Sequence, residues 1–171
     1  QILSRVVSIG VTECSNKECT EALQSMNYSN EQIQQAIDSF HGNIGMCLDY
    51  LNGGELFKSV GVIKGLTNSI LHHDEYELLK VLNQLNGDRD QIKDTLSIMD
   101  KHIRDVIAVK IGCNTSAGCY FDGAKLLSEK LSIKACTDIH LKIYDAFNEL
   151  DSNVNINLIL ASLCANIITI V

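Results

Sequence analysis

The stretch DRDQIKDTLSIMDKHIRDVIAVK, residues 88–110, decides the fold class. Ile92, Leu96, Met99, Ile103 and Ile107 recur in steps of three and four, with charged residues between them. That spacing puts these five large apolar side chains on one stripe of a helix; a strand would alternate every second residue. Asp88 stands where a side-chain oxygen can cap the first turn.

The same period continues on both sides. Upstream, Leu78, Leu79, Val81, Leu82 and Leu85 mark a helix capped near Asp74 and stopped at Gly87. Before it, Leu56, Phe57, Val60, Ile63, Ile70 and Leu71 mark another, which Gly61 and Gly65 weaken. Downstream, the 112–119 loop precedes helices expected at about 121–132 and 136–151. The segment 153–171 carries no charged residue and is apolar on nearly every side. Such a helix is expected to be surrounded by protein, either its own core or partner subunits. At 14 residues, its strongly apolar run LILASLCANIITIV is too short for a membrane span, which takes about 20.

Residues 13–53 read as a three-helix unit. Ser15-Asn16-Lys17-Glu18 and Ser29-Asn30-Glu31-Gln32 both fit the capping box S-x-x-E/Q. The first helix is expected over about 16–27, with Cys19, Ala22, Leu23 and Met26 on one face. The second carries Ile33, Ala36, Ile37 and Phe40 and ends at Gly42. Asn43 caps the third, which carries Ile44, Cys47, Leu48 and Leu51. Asn52-Gly53-Gly54 is the best linker in the chain. The expected fold is therefore all-α: a three-helix unit over 13–53 and a helical domain over 54–171. The opening run ILSRVVSIGV, residues 2–11, is strand-like and has no partner strand in the rest of the sequence.

Composition narrows the function. The 171 residues carry a net charge of −7, which disfavours a nonspecific grip on nucleic acid. Pro is absent and aromatics make up only 5%, so the core is aliphatic and long helices are uninterrupted. Seven Cys with no CxxC read as buried thiols of a reducing, cytoplasmic setting; Cys113 and Cys119 share one loop without a neighbouring His. There is no phosphate loop, dinucleotide fingerprint or HExxH. His72-His73-Asp74-Glu75 looks like a ligand set, but consecutive residues do not face one site and a solvated helix start explains it. Asp38, His41 and Asp49 offer acid–base groups without a nucleophile. No metal site and no catalytic pocket is expected from this chain alone.

Two features remain: Ser4-Arg5 in the opening run, and Gly42-Asn43-Ile44-Gly45-Met46-Cys47-Leu48 at a helix start. Together with the closing Asn153-Val154-Asn155-x-x-Leu158, their order and spacing resemble the lid and collar regions of the delta-prime family of bacterial DNA polymerase III clamp-loader subunits. The likeness covers essentially the whole chain. Ser4-Arg5 is similar to the family's SRC motif, with Val6 in place of Cys. Residues 42–48 are similar to sensor 2, usually near G-S-x-R-x-A-L, with Gly45 where the Arg stands.

The resemblance implies a division into 1–12, the remnant of an ATPase-like domain, 13–53, a lid, and 54–171, a collar that assembles in a ring. It implies that Arg5, with Ser4, reaches ATP on a neighbouring subunit as an arginine finger in trans. It implies a degenerate sensor 2 at Gly42, Asn43, Gly45 and Met46, and subunit contacts through Asn153, Asn155, Leu158 and Leu163. Expected partners are the motor (gamma/tau) and delta subunits and, through the complex, the sliding clamp and primer-template DNA. The fragment itself would hold no cofactor, bind no nucleic acid directly and catalyse no reaction.

A second resemblance stays open. ALQSMNYSNEQIQQAIDSFHGNIGMCLDYL is similar to a ubiquitin-associated module, although Met26-Asn27-Tyr28 lacks that family's loop Gly. An independent helical enzyme is a third class, with no convergent site to support it.

Overall fold

The computed structural model describes residues 14–40, 43–85, 88–113, 118–152 and 154–171. Among these, the chain is entirely helical, with nine helices and no strand. The strand-like run at 2–11 lies outside the described residues.

Capping side chains set most of the helix starts. α1 (Asn16–Gln24) begins at Ser15, whose hydroxyl accepts from the Glu18 amide while the Glu18 carboxylate accepts from the Ser15 amide at 2.8 Å. α2 (Asn30–Phe40) starts with the reciprocal pair of Ser29 and Gln32. α3 (Ile44–Leu51) is capped by Asn43. α1 is shorter than expected. It stops at Ser25, whose hydroxyl donates to the Ala22 carbonyl, and Asn27 turns the corner at φ +64°. Met26 thereby leaves the apolar face and is 47% exposed.

The turn Asn52–Gly54 leads into α4 (Glu55–His72), with Gly53 at φ +71° where a side chain would be strained. His73 ends α4 in the left-handed conformation, and Asp74 caps α5 (Glu75–Asn83). The His72–Glu75 run is thus a corner between two helices. α6 (Arg89–Lys110) starts at Asp88 and buries Ile92, Leu96, Met99 and Ile103, as the opening stretch predicts. α7 (Phe121–Lys130) precedes α8 (Ile133–Asp151), which starts three residues earlier than expected because Ser132 caps it. α9 (Ile156–Ile170) is capped by Asn155.

α1, α2 and α3 pack on one another, and α3 packs on α4. α6 is the spine of the remainder, packed against α4, α7 and α8, while α9 lies against α5 and α8. A single aliphatic core runs from Cys19 in α1 to Ile167 in α9. Among the described residues, no helix is long and apolar enough to cross a membrane.

Among the described residues, α9 is covered on one side only. Ile159, Leu160, Leu163, Cys164 and Ile167 are buried. Leu158 is 63% exposed, and Ala161, Ser162, Ala165 and Thr169 continue its outward face. A uniformly apolar sequence cannot reveal this: every side of the helix looks equally suited to burial, and only the positions of α5 and α8 select which is buried.

Candidate functional site

The residues singled out in sequence fall in two separate places. Asn43, Gly45 and Met46 form the first turn of α3. Asn43 Oδ1 accepts the Met46 amide at 3.1 Å, and Met46 is half-buried against the core. Gly45 is exposed, and a Cβ built there meets only Asn43 Oδ1 at 3.5 Å, an ordinary contact. Packing against the described residues therefore does not demand glycine there. Ser4, Arg5 and Gly42 lie outside the described residues.

The second place is the start of α9. Asn155 Oδ1 accepts the amides of Asn157 at 2.9 Å and Leu158 at 3.4 Å. That cap aligns the first turn, so Leu158 projects outward while Leu163 points into the chain's own core. Of the two leucines expected at a subunit junction, only Leu158 is available to a partner. Asn153 lies outside the described residues.

Three polar arrangements escaped the sequence reading. His102, in mid-α6, is fully buried. Its Nε2 lies 3.0 Å from Thr67 Oγ1, which itself donates to the Ile63 carbonyl at 2.8 Å. Thr67 has then used its proton, so His102 is the neutral Nε2–H tautomer donating to Thr67, and Nδ1 has no hydrogen-bond partner among the described residues. Burial pushes its pKa down to about 4, against a weaker upward pull from Asp105. The second arrangement is Asp100, whose two carboxylate oxygens take His140 Nδ1 from α8 and Arg104 from α6.

The third is a cleft of about 350 Å³ between α2, α4 and α7, lined by Gln35, Ser39, Lys64, Tyr120 and Lys125 among others. The Tyr120 ring stacks on His102 with centroids 6.0 Å apart, and Lys64 Nζ lies 5.5 Å from its centroid. The one legible hint of these groups was a histidine beside the apolar stripe of α6. Its partners come from other helices and leave no pattern along the chain.

The five buried cysteines are free thiols, and burial pushes Cys47 up to about 11 and Cys119 up to about 12, far from a reactive thiolate. Among the described residues no three His, Cys, Asp or Glu gather where they could hold a metal.

No protein-family model matches the chain, and no curated protein or solved structure is significantly similar to it. The class defined here is therefore structural: an all-helical protein with one continuous aliphatic core and an uncharged terminal helix half-open to solvent.

Proposed function

We propose that this chain is the lid and collar of a non-hydrolysing stator subunit in a bacterial clamp loader. The observation that carries the reading is the outward face of α9. A helix without a single charge leaves Leu158 63% exposed beside Ala161 and Ala165. Small side chains allow a second helix to approach closely, and the exposed leucine supplies an apolar anchor. In this reading α4–α9 join the collars of the motor and delta subunits in the cytoplasm, and α1–α3 pass motion to the sliding clamp on primer-template DNA. Arg5 would serve the ATP site of the adjoining motor subunit, where its fixed charge offsets charge developing on the transferred phosphoryl group. Gly45 in place of a sensor Arg fits a subunit that does not hydrolyse ATP.

The test is native mass spectrometry of the chain mixed with the collar domains of the motor and delta subunits from its own organism. The expected result is a mixed ring-type assembly. Leu158→Asp should abolish it while circular dichroism and thermal midpoint stay unchanged. Leu163→Asp should instead unfold the chain, because it buries an unpaired carboxylate. A folded wild-type chain that joins no assembly, while the other two collars pair with each other, overturns the reading.

A second reading rests on one specific observation. Asn27 adopts the left-handed conformation that glycine favours, and it sits between an exposed Met26 and Tyr28, whose hydroxyl donates to Asn52 at 2.8 Å. The loop thus has a backbone shape open to glycine, as in a ubiquitin-associated module. Amide shift perturbation around Met26 on addition of ubiquitin would favour this reading over the collar.

A further inference from the structure

We infer that the cleft between α2, α4 and α7 is a binding site for a small molecule carrying both a phosphate and a planar aromatic ring. The site stands apart from the α9 face, and the inference does not rest on the clamp-loader reading. Its volume of about 350 Å³ falls in the range of small-ligand pockets, roughly 300–1,000 Å³.

The chain as a whole is acidic at −7, yet this cleft gathers two ammonium groups from different helices, Lys64 of α4 and Lys125 of α7. Lys64 forms no ion pair among the described residues; its Nζ rests over the Tyr120 ring. Lys125 Nζ rests 4.6 Å from the Phe121 centroid and 3.5 Å from Asp122 Oδ1. With Asp122 counted, the lining keeps one net positive charge among the described residues. A phosphate monoester suits two separated ammonium groups, because its oxygens diverge and lysine binds phosphate as a point charge.

The aromatic half of the site is built as firmly. Tyr120 is fixed from below by His102 and from the side by Gly123, where a Cβ would fall 2.2 Å from the ring carbons. Glycine there lets the ring lie against the first turn of α7. A ligand phosphate that draws Lys64 onto itself uncovers the part of the Tyr120 ring that its ammonium covers, for a planar group. Gln35 and Ser39 close the cleft from α2, so an occupant would bridge the three-helix unit to the rest of the molecule.

Isothermal titration of the full chain at low salt tests this with adenosine monophosphate, inorganic phosphate and adenosine. Saturable binding of the mononucleotide, at least tenfold tighter than either part alone, is expected. The double variant Lys64→Gln/Lys125→Gln should lose at least tenfold in that affinity with its thermal midpoint unchanged, and Lys64→Arg/Lys125→Arg should retain it. No saturable binding at millimolar nucleotide, phosphate binding as tight as the mononucleotide, or full affinity in the glutamine variant each overturns the assignment.

Discussion

His102 illustrates what one buried polar side chain does to a helical core. It occupies a buried position on α6 beside the apolar stripe, and it is kept neutral by burial with a hydrogen bond to Thr67. Its folded pKa of about 4 lies below the ordinary 6.5, so between these values the unfolded chain binds a proton that the folded chain does not. Stability therefore falls as pH drops through that window, by about 1.4 kcal/mol per unit and up to about 3 kcal/mol in all. Urea midpoints at pH 7 and pH 4.5 check this: the drop should be smaller in His102→Gln than in the wild type, because the glutamine has no proton to gain. The sequence offered the histidine but not its tautomer, which is set by Thr67 having already donated to Ile63.

At the scale of elements, two glycines of α4 that look alike in sequence differ in structure. A Cβ at Gly61 meets nothing within 4 Å, whereas one at Gly65 falls 2.6 Å from Val81 Cγ2 on α5. Gly61→Ala should stabilise the chain by roughly 0.5–1 kcal/mol, since only backbone freedom changes. Gly65→Ala should destabilise it by about 1–3 kcal/mol through overpacking against α5. Paired urea denaturation curves decide the signs.

Arginine and lysine staples act at the same scale. Arg89, the first residue of α6, donates to the carbonyls of Leu150 at 2.7 Å and Val154 at 2.8 Å, holding the α8–α9 connection. Lys130 does the same for the end of α4, donating to Ile70 at 2.8 Å and Leu71 at 2.5 Å. The Leu150 and Leu71 carbonyls lie in the last turns of α8 and α4, where a helix runs out of intrahelical donors. Arg89→Ala should cost about 1.5–3 kcal/mol, and Arg89→Lys should recover only part, because one ammonium lacks the guanidinium fork. Denaturant midpoints of the three proteins check the order. Neither staple was legible: the partners are about sixty residues apart, and a basic residue near a helix end reads as an exposed charge.

At the scale of the whole molecule, α4 joins the two expected units. α3 of the first unit packs on it, as do α5, α6 and α7 of the second. This places the α2–α4–α7 cleft at the junction of the two units, and it leaves the outer face of α9 on the opposite side of that helix from its packing on α5 and α8. The cleft and the α9 face lie on different helices, so ligand binding at one and assembly at the other can be measured independently.

The sequence by itself determined the all-helical class, because a 3.6-residue period with Ser, Asn and Asp caps is local physics that each segment carries alone. It located the starts of α1, α2, α3, α5 and α6 from capping residues, while Asn155, expected as a subunit contact, stands as the cap of α9. What only the tertiary structure decided was which side of a featureless apolar helix is buried. It separated Leu158 from Leu163 although both are leucines on the same helix. It also brought Lys64, His102 and Tyr120 together from three different segments. Contacts between distant segments depend on how helices pack, and no period along the chain encodes them.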